Sequence, residues 1–217
     1  MSATICISVA EKTYSEILGV IKSHDFAEIR LDLTDINEDE IYMLFSDTGK
    51  RFIATCRQGK YSNEERISRL KTAIDAGAAY VDIELEEEIE YKQALLSIAK
   101  SAGCKVIISL HDFEETPKDS TLDILIKACK NFGADIVKLV TTAQNPADCS
   151  RILGLYDKHT DLVAFAMGEY GKISRLACLY LGAPFTYASV SDDKAVANGQ
   201  VSVSKLEELI RLLPVKG

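Results

Sequence analysis

Short runs of aliphatic and β-branched residues alternate along this chain with longer segments whose apolar positions recur every third or fourth residue. The first kind is the pattern of a strand buried on both faces, the second that of an amphipathic helix. Thr4–Val9 reads as a strand and Tyr14–Lys22 as a helix. Phe26–Asp32 is the second strand, a helix follows around Asp39–Phe45, and Arg51–Cys56 is the third strand. Ser62 and Glu65 have the spacing of a capping box, and Ile67, Leu70 and Ile74 form the apolar stripe of a helix that stops at Gly77. Tyr80–Glu84 is the fourth strand, with a helix marked by Tyr91, Leu95, Ile98 and Ala102 and ended by Gly103. Lys105–Leu110 is the fifth, with a helix over Leu122, Leu125, Cys129 and Phe132 closed by Gly133. Ala134–Val140 is the sixth, with a helix from Pro146, and Asp161–Ala166 is the seventh, with a helix over Ile173–Tyr180. Phe185–Ser189 is the eighth, and Ser204-Lys-Leu-Glu207 reads as a capping box that opens the last helix.

Regular alternation of strand and helix implies a parallel sheet. Eight such units in 217 residues favour a closed (β/α)8 TIM barrel near its minimum size. A doubly wound open sheet would want a glycine-rich first turn, and Ala10-Glu-Lys-Thr13 offers none. No linker or shift in composition interrupts the pattern, so residues 1–217 are expected to form a single domain.

A net charge of −8 argues against a nucleic-acid or anionic-membrane partner recognised through bulk charge. An anionic substrate would need a local cluster of arginine or lysine. The six cysteines are scattered, with neither a CxxC pair nor the His/Cys spacing of a zinc site. They read as reduced thiols, several of them filling core positions. Met1-Ser-Ala-Thr4 has no character of a signal peptide, and no apolar run is long enough for a bilayer span. The expectation is a cytoplasmic protein without a membrane partner.

Side chains alternate along a strand, so parity separates the faces. Ala27, Ile29, Leu31 and Leu33 share one face of the second strand, and Glu28, Arg30 and Asp32 share the other. In the fourth strand Val81, Ile83 and Leu85 oppose Asp82 and Glu84; in the sixth, Lys138 opposes Val137 and Leu139. With the aliphatic face against the helices, these charges point into the barrel. There they must pair with one another or with a ligand. The position of each near the C-terminal end of its strand, where barrel active sites are built, favours the ligand. Two plainer readings stand beside it: a strand-end lysine that reaches water, and a purely structural layer of ion pairs. Desolvation holds a buried amine toward the neutral form that attacks a ketone. His111 ends the fifth strand, beside the strand of Lys138, and is read as an acid/base group oriented by Glu84. His24 and His159 lie in connections and are read as solvated. Met167-Gly-Glu-Tyr-Gly-Lys-Ile-Ser-Arg175 is a glycine-punctuated turn that leads into a helix, and Val196-Ala-Asn-Gly-Gln200 is a second loop at the same rim. Glycines allow backbone to approach a ligand, and the Arg175 guanidinium is a fork for carboxylate or phosphate.

The ordered set of these pieces resembles the type I 3-dehydroquinate dehydratases. It comprises Glu28-Ile-Arg30-Leu-Asp32, Thr55-Cys-Arg57, Asp82-Ile-Glu84, Ser109-Leu-His111-Asp112-Phe113 and Ile136-Val-Lys138. Met167-Gly-x-x-Gly171-x-x-Ser174-Arg175, Phe185-Thr-Tyr187 and Gly199-Gln200 complete it, so the match spans the chain. The resemblance implies a (β/α)8 barrel, usually a homodimer, that converts 3-dehydroquinate to 3-dehydroshikimate without metal or cofactor. It implies that Lys138 forms an imine with the substrate ketone, that His111 transfers the protons, and that Glu84 fixes the imidazole tautomer. Arg175 with Gln200 would bind the substrate carboxylate, and Glu28, Arg30 and Arg57 the ring hydroxyls, with Ser8 a further contact. The family often carries Ser-Ala-Pro-Gly-Gln in the last loop; here a hydroxyl is missing at Val196 and the proline is Asn198. Two rival readings are a class I Schiff-base aldolase acting on a sugar phosphate, and a non-catalytic barrel that binds a metabolite or a partner protein. The aldolase would want a backbone phosphate cradle at a short rim helix, whereas Arg175 with Gln200 suits a planar carboxylate.

Overall fold

A computed structural model describes residues 4–192 and 200–213. Its strands are β1 (Ile5–Val9), β2 (Phe26–Arg30), β3 (Arg51–Thr55), β4 (Tyr80–Glu84), β5 (Lys105–His111), β6 (Ile136–Thr142), β7 (Leu162–Met167) and β8 (Thr186–Ser189). The helices are α1 (Tyr14–Ile21), α2 (Glu38–Phe45), α3 (Asn63–Asp75), α4 (Ile89–Ala102), α5 (Asp119–Phe132), α6 (Pro146–Gly154), α7 (Ser174–Tyr180) and α8 (Val203–Leu212). Strands and helices alternate without exception, as the hydrophobic pattern predicts, and the strands join in the order β7-β6-β5-β4-β3-β2-β1-β8. This is the element order of a (β/α)8 barrel.

The chain packs as two compact units. One is Ile7–Ile108, and the other takes Met1–Cys6 with Ser109–Gly217. In the first, β1, β2, β3 and β4 pair in parallel, with Ser8 opposite Glu28 and Arg30 opposite Thr55. Its core is Val9, Ile29, Leu31, Ile53 and Val81, with Leu70 and Leu95 supplied by the helices, each essentially inaccessible to solvent. In the second, β6 pairs in parallel with β7, Lys138 opposite Val163. Its core includes Leu139, Val163, Ala164, Leu122, Ile126 and Ile152. Burying each of these larger aliphatic side chains contributes roughly 1.5–3 kcal/mol.

Helix ends follow local chemistry. Ser62 and Glu65 close the predicted capping box at α3, and Gly103 and Gly133 end α4 and α5 in the left-handed conformation. The last helix departs from expectation. Ser202, not Ser204, sits at its N-cap, and no side-chain capping bond forms there. The apolar face decides this: Val203 and Leu206 are the buried positions of α8, and their phase draws the first turn back past Ser204. The sixth strand also runs further than the aliphatic run suggests, through Thr141 and Thr142. Both are accommodated because the Thr141 hydroxyl lies 2.8 Å from that of Thr116, and the Thr142 hydroxyl donates to the Asp112 carbonyl at 3.1 Å.

None of the six cysteines forms a disulfide, as expected, and all six are buried, more than the several core positions expected from the sequence. Among the described residues no helix is long and apolar enough to cross a membrane. His159 is not simply solvated: its ring nitrogen lies 2.8 Å from the carboxylate of Asp123 on α5. The hydrogen bond holds Asp123 below the usual carboxylate range. The sequence reading failed here because the two residues are far apart in the chain and meet only through packing.

Candidate active site

In the first unit, the polar face of the strands forms one linked cluster. Ser8 on β1 donates its hydroxyl to Glu28 Oε2 at 3.2 Å, and Thr55 on β3 donates to Glu28 Oε1 at 3.1 Å. Glu28 is almost fully buried, and these bonds satisfy part of what burial takes from its carboxylate. Arg30, at the end of β2, is bound in a fork by Asp32, with Nε–Oδ1 at 3.0 Å and Nη2–Oδ2 at 2.6 Å. Burial pulls the Arg30 guanidinium down, but the Asp32 bonds outweigh it and hold its pKa above the ordinary arginine value. Arg57, two residues beyond β3, joins the two carboxylates of β4: Nη2 lies 2.9 Å from Asp82 Oδ1 and Nη1 3.3 Å from Glu84 Oε1. Burial raises the pKa of Glu84, Arg57 opposes that rise, and Asp82 adds to it.

The backbone beside Arg57 is fixed from below. Arg66 on α3 donates Nε to the Cys56 carbonyl at 3.0 Å, and its guanidinium pairs with Glu87 in the turn after β4, both side chains buried. Gln58 donates to the same carboxylate at 2.9 Å. The turns that follow β3 and β4 are therefore tied together at the residues that flank Arg57. Parity alone places Glu28, Arg30, Asp82 and Glu84 on one face; it does not reveal that Arg30 and Arg57 are already engaged by Asp32 and Asp82. Asp82 shares a face of β4 with Glu84, whereas Asp32 lies in the turn two residues beyond the end of β2, which stops at Arg30 and not at Asp32 as the hydrophobic pattern suggests.

In the second unit, Lys138 is 5% exposed. It is the third residue of a strand that runs from Ile136 to Thr142, so it lies inside β6 and not near its C-terminal end, as the shorter aliphatic run suggests. At that depth it does not reach water as a strand-end lysine would. Its Nζ lies over the ring of Tyr187 on β8, 4.2 Å from the centroid. His111 is the last residue of β5, half-buried, and stacks on the ring of Phe113 with centroids 6.0 Å apart and planes 15° apart. Phe113 is 73% exposed, an unusual placement for a phenylalanine beside a half-buried histidine.

Arg175 is the second residue of α7 and is 1% exposed. Its guanidinium carbon lies 4.3 Å from the centroid of Phe165 on β7. Among the described residues no carboxylate is within ion-pair distance of it, and its Nε has no hydrogen-bond partner. Burial pushes its pKa down to about 10, so it remains charged at neutral pH. A desolvated cation without a counter-charge is costly unless an anion completes it.

The turn that delivers Arg175 is rigid. Gly168 has φ of +79°. Gly171 approaches the Ala166 and Met167 carbonyls so closely that a Cβ would collide with both. Ser174 donates to the Gly171 carbonyl at 2.5 Å and accepts from the Ala166 amide at 2.8 Å. Thr186 donates to the Arg175 carbonyl at 2.7 Å. The glycine at 171 thus lets the turn fold onto its own strand, a duty different from the approach to a ligand expected of it. Gln200 is half-buried, and the segment it leads is pinned to the end of β8 through the Ser189 amide, which donates to Val201 at 3.0 Å. Val196, Asn198 and Gly199, where the last loop departs from its expected pattern, lie outside the described residues.

Comparison with known proteins adds an independent line. The family model described as Type I 3-dehydroquinase matches residues 5–216. The 3-dehydroquinate dehydratase of Dehalococcoides mccartyi is 36% identical over 215 residues, covering 95% of this chain and 94% of its own length. The crystal structure of the 3-dehydroquinate dehydratase from Aquifex aeolicus superposes with a TM-score of 0.81 at 28% identity, covering 97% of this chain and 99% of that one. The type I 3-dehydroquinate dehydratase of Clostridium difficile, solved with covalent modified comenic acid, superposes with a TM-score of 0.86 at 24% identity, covering 98% of this chain and 92% of that one. The fold is the (β/α)8 barrel expected from the sequence.

Proposed function

Because the chain belongs to the type I 3-dehydroquinase family, we propose that it removes water from 3-dehydroquinate through an imine on Lys138. The observation that carries this reading is a lysine in the interior of β6, 5% exposed and set against an aromatic face. A structural lysine gains nothing from that position, whereas a nucleophile gains a dry and fixed approach to a carbonyl carbon.

The amine of Lys138 adds to the substrate ketone, and the carbinolamine loses water to give an iminium. The iminium draws electrons from the neighbouring carbon and acidifies its hydrogen. His111 takes that proton and returns a proton to the hydroxyl that departs from the adjacent carbon as water. A second water hydrolyses the imine, releasing 3-dehydroshikimate and the free amine. Glu84 is assigned the orienting role toward His111. Arg175, with Gln200, receives the substrate carboxylate; its buried charge, with no carboxylate partner among the described residues, supports that assignment. Glu28, Arg30, Arg57 and Ser8 are assigned to the ring hydroxyls, and the Ser8–Glu28 and Arg57–Glu84 bonds mean they would be held in place before substrate arrives. The reading treats residues 1–217 as one barrel domain that works as a cytoplasmic homodimer, without metal or cofactor.

Borohydride reduction in the presence of 3-dehydroquinate, followed by peptide mass spectrometry, tests it. The expected result is a substrate-derived adduct on the peptide that contains Lys138. Folded protein that gives no adduct and no enone absorbance with this substrate overturns the reading, and an adduct formed only with a sugar phosphate would make it an aldolase.

A further inference from the structure

We propose that Phe165 and Tyr187 form a paired aromatic platform that positions the two buried basic side chains Lys138 and Arg175 of the second unit, setting the nucleophile and the anion-binding arginine in one fixed frame. The inference rests on the imine reading above and adds two positioning residues to it.

The geometry is reciprocal. Lys138 Nζ lies 4.2 Å from the centroid of Tyr187, Arg175 Cζ lies 4.3 Å from the centroid of Phe165, and the two rings are themselves neighbours at 6.2 Å and 57°. Each cation therefore sits over its own ring, and the rings brace one another in a tilted pair. Phe185 meets Tyr187 edge-on at 5.6 Å and 67°. All of these side chains are 5% exposed or less. Cation–π attraction is strongest when both partners are desolvated, so burial that would penalise the two charges also strengthens what holds them.

The strand register accounts for the arrangement. Val163 stands opposite Lys138 in the β6–β7 pair, and Phe165, two residues on, shares its face. The flanking Ala164 and Ala166 are small, so α6 and α7 pack closely on the other side of β7. Close packing of α7 lets Ser174 reach the Ala166 amide, and the same turn delivers Arg175 to Phe165.

A desolvated ring face attracts the cationic iminium that Lys138 forms in the reaction. On the other side, Phe165 lies under the Arg175 guanidinium, a planar donor suited to a carboxylate.

Steady-state kinetics of the full chain with 3-dehydroquinate, together with the single-turnover rate of borohydride-trapped adduct, test the proposal in five variants. Tyr187→Leu is expected to lower kcat and the trapping rate about tenfold or more with a smaller change in KM, and Tyr187→Phe to restore most of that loss. Phe165→Leu is expected to raise KM more than it lowers kcat, with Phe165→Tyr restoring KM. Phe185→Leu serves as the packing control, since it removes a ring of the same cluster. Unfolding midpoints accompany each variant. The proposal is overturned if Tyr187→Phe is as impaired as Tyr187→Leu, if Tyr187→Leu keeps the parent kcat, or if Phe185→Leu reproduces the Tyr187→Leu loss. A parent protein that does not turn over 3-dehydroquinate overturns the functional reading itself; an active parent with indifferent variants overturns only the platform.

Discussion

Arg57 reaches Asp82 at 2.9 Å, and the carboxylate it holds is completely buried. Such a pair is weak as a source of net stability but costly to break from one side, because the remaining charge stays desolvated. Arg57→Ala is therefore expected to destabilise the protein by about 3 kcal/mol. Adding Asp82→Asn should recover much of that loss while leaving turnover low, since Glu84 would still lack its guanidinium neighbour. Urea midpoints of the two single variants and the double variant check this. Equal midpoints for Arg57→Ala and the double variant would show that Asp82 is not the buried charge at issue.

Glu84 gives a pH signature with a definite sign. Burial raises its pKa in the folded protein, in spite of Arg57. The folded state therefore binds more protons than the unfolded one between the ordinary glutamate value and the raised one. Stability from this group is fully present below the ordinary value and is lost as pH climbs through the raised one. Glu84→Gln removes that titration. The stability of the variant relative to the parent should rise with pH across the carboxylate range and be level above it. Urea titrations at a series of pH values read the difference, and a relative stability that falls with pH would reverse the assignment.

Much of the architecture is legible in the chain because its strands are buried on both faces and its helices on one, and the two patterns differ in period. Val137 and Leu139 against Lys138, or Val81 and Ile83 against Asp82 and Glu84, separate the faces by parity alone. Partners are another matter. Asp32 binding Arg30, Asp82 binding Arg57 and Asp123 binding His159 depend on rotamers and on which neighbours packing brings close. Strand length misleads in the same way: Thr141 and Thr142 look like a polar boundary until Thr116 and Asp112 satisfy them. That extension is what moves Lys138 from the rim to the interior of its strand.

The turn before α7 separates two kinds of glycine. Gly168 adopts a left-handed conformation, where an alanine costs roughly 1–2 kcal/mol. Gly171 has the further problem of two backbone carbonyls where a Cβ would stand, and backbone cannot rotate away as a side chain can. Gly171→Ala should therefore cost more stability than Gly168→Ala and should also displace Arg175. Its KM should rise together with the fall in its unfolding midpoint. Equal midpoints for the two variants would argue that the turn is more yielding than its hydrogen bonds suggest.

Arg175 distinguishes a fork from a point charge. Its guanidinium lies over the ring of Phe165, and lysine at that position would keep the charge while losing the planar, two-pronged donor. Arg175→Lys is expected to lower kcat/KM roughly 30-fold or more, about 2 kcal/mol, chiefly through KM. Parallel assays with the substrate carboxylate converted to an amide should narrow the gap between parent and variant. An unchanged gap with the amide would place the carboxylate elsewhere.

Lys138 and His111 are predicted to fail at different steps. Lys138→Ala removes the only amine that can form the imine on this reading, so turnover and borohydride trapping should vanish together, with the fold retained, since a buried polar group is replaced by a small apolar side chain. His111→Ala leaves the nucleophile in place. Adduct should still accumulate, slowly, while enone formation falls by roughly 100-fold or more for want of a positioned base and acid. Following trapped adduct and enone absorbance in the same reaction separates the two steps. Trapping that persists in Lys138→Ala would move the nucleophile to another lysine, and parallel loss of both signals in His111→Ala would assign the histidine to carbinolamine formation instead of to the proton transfers of elimination.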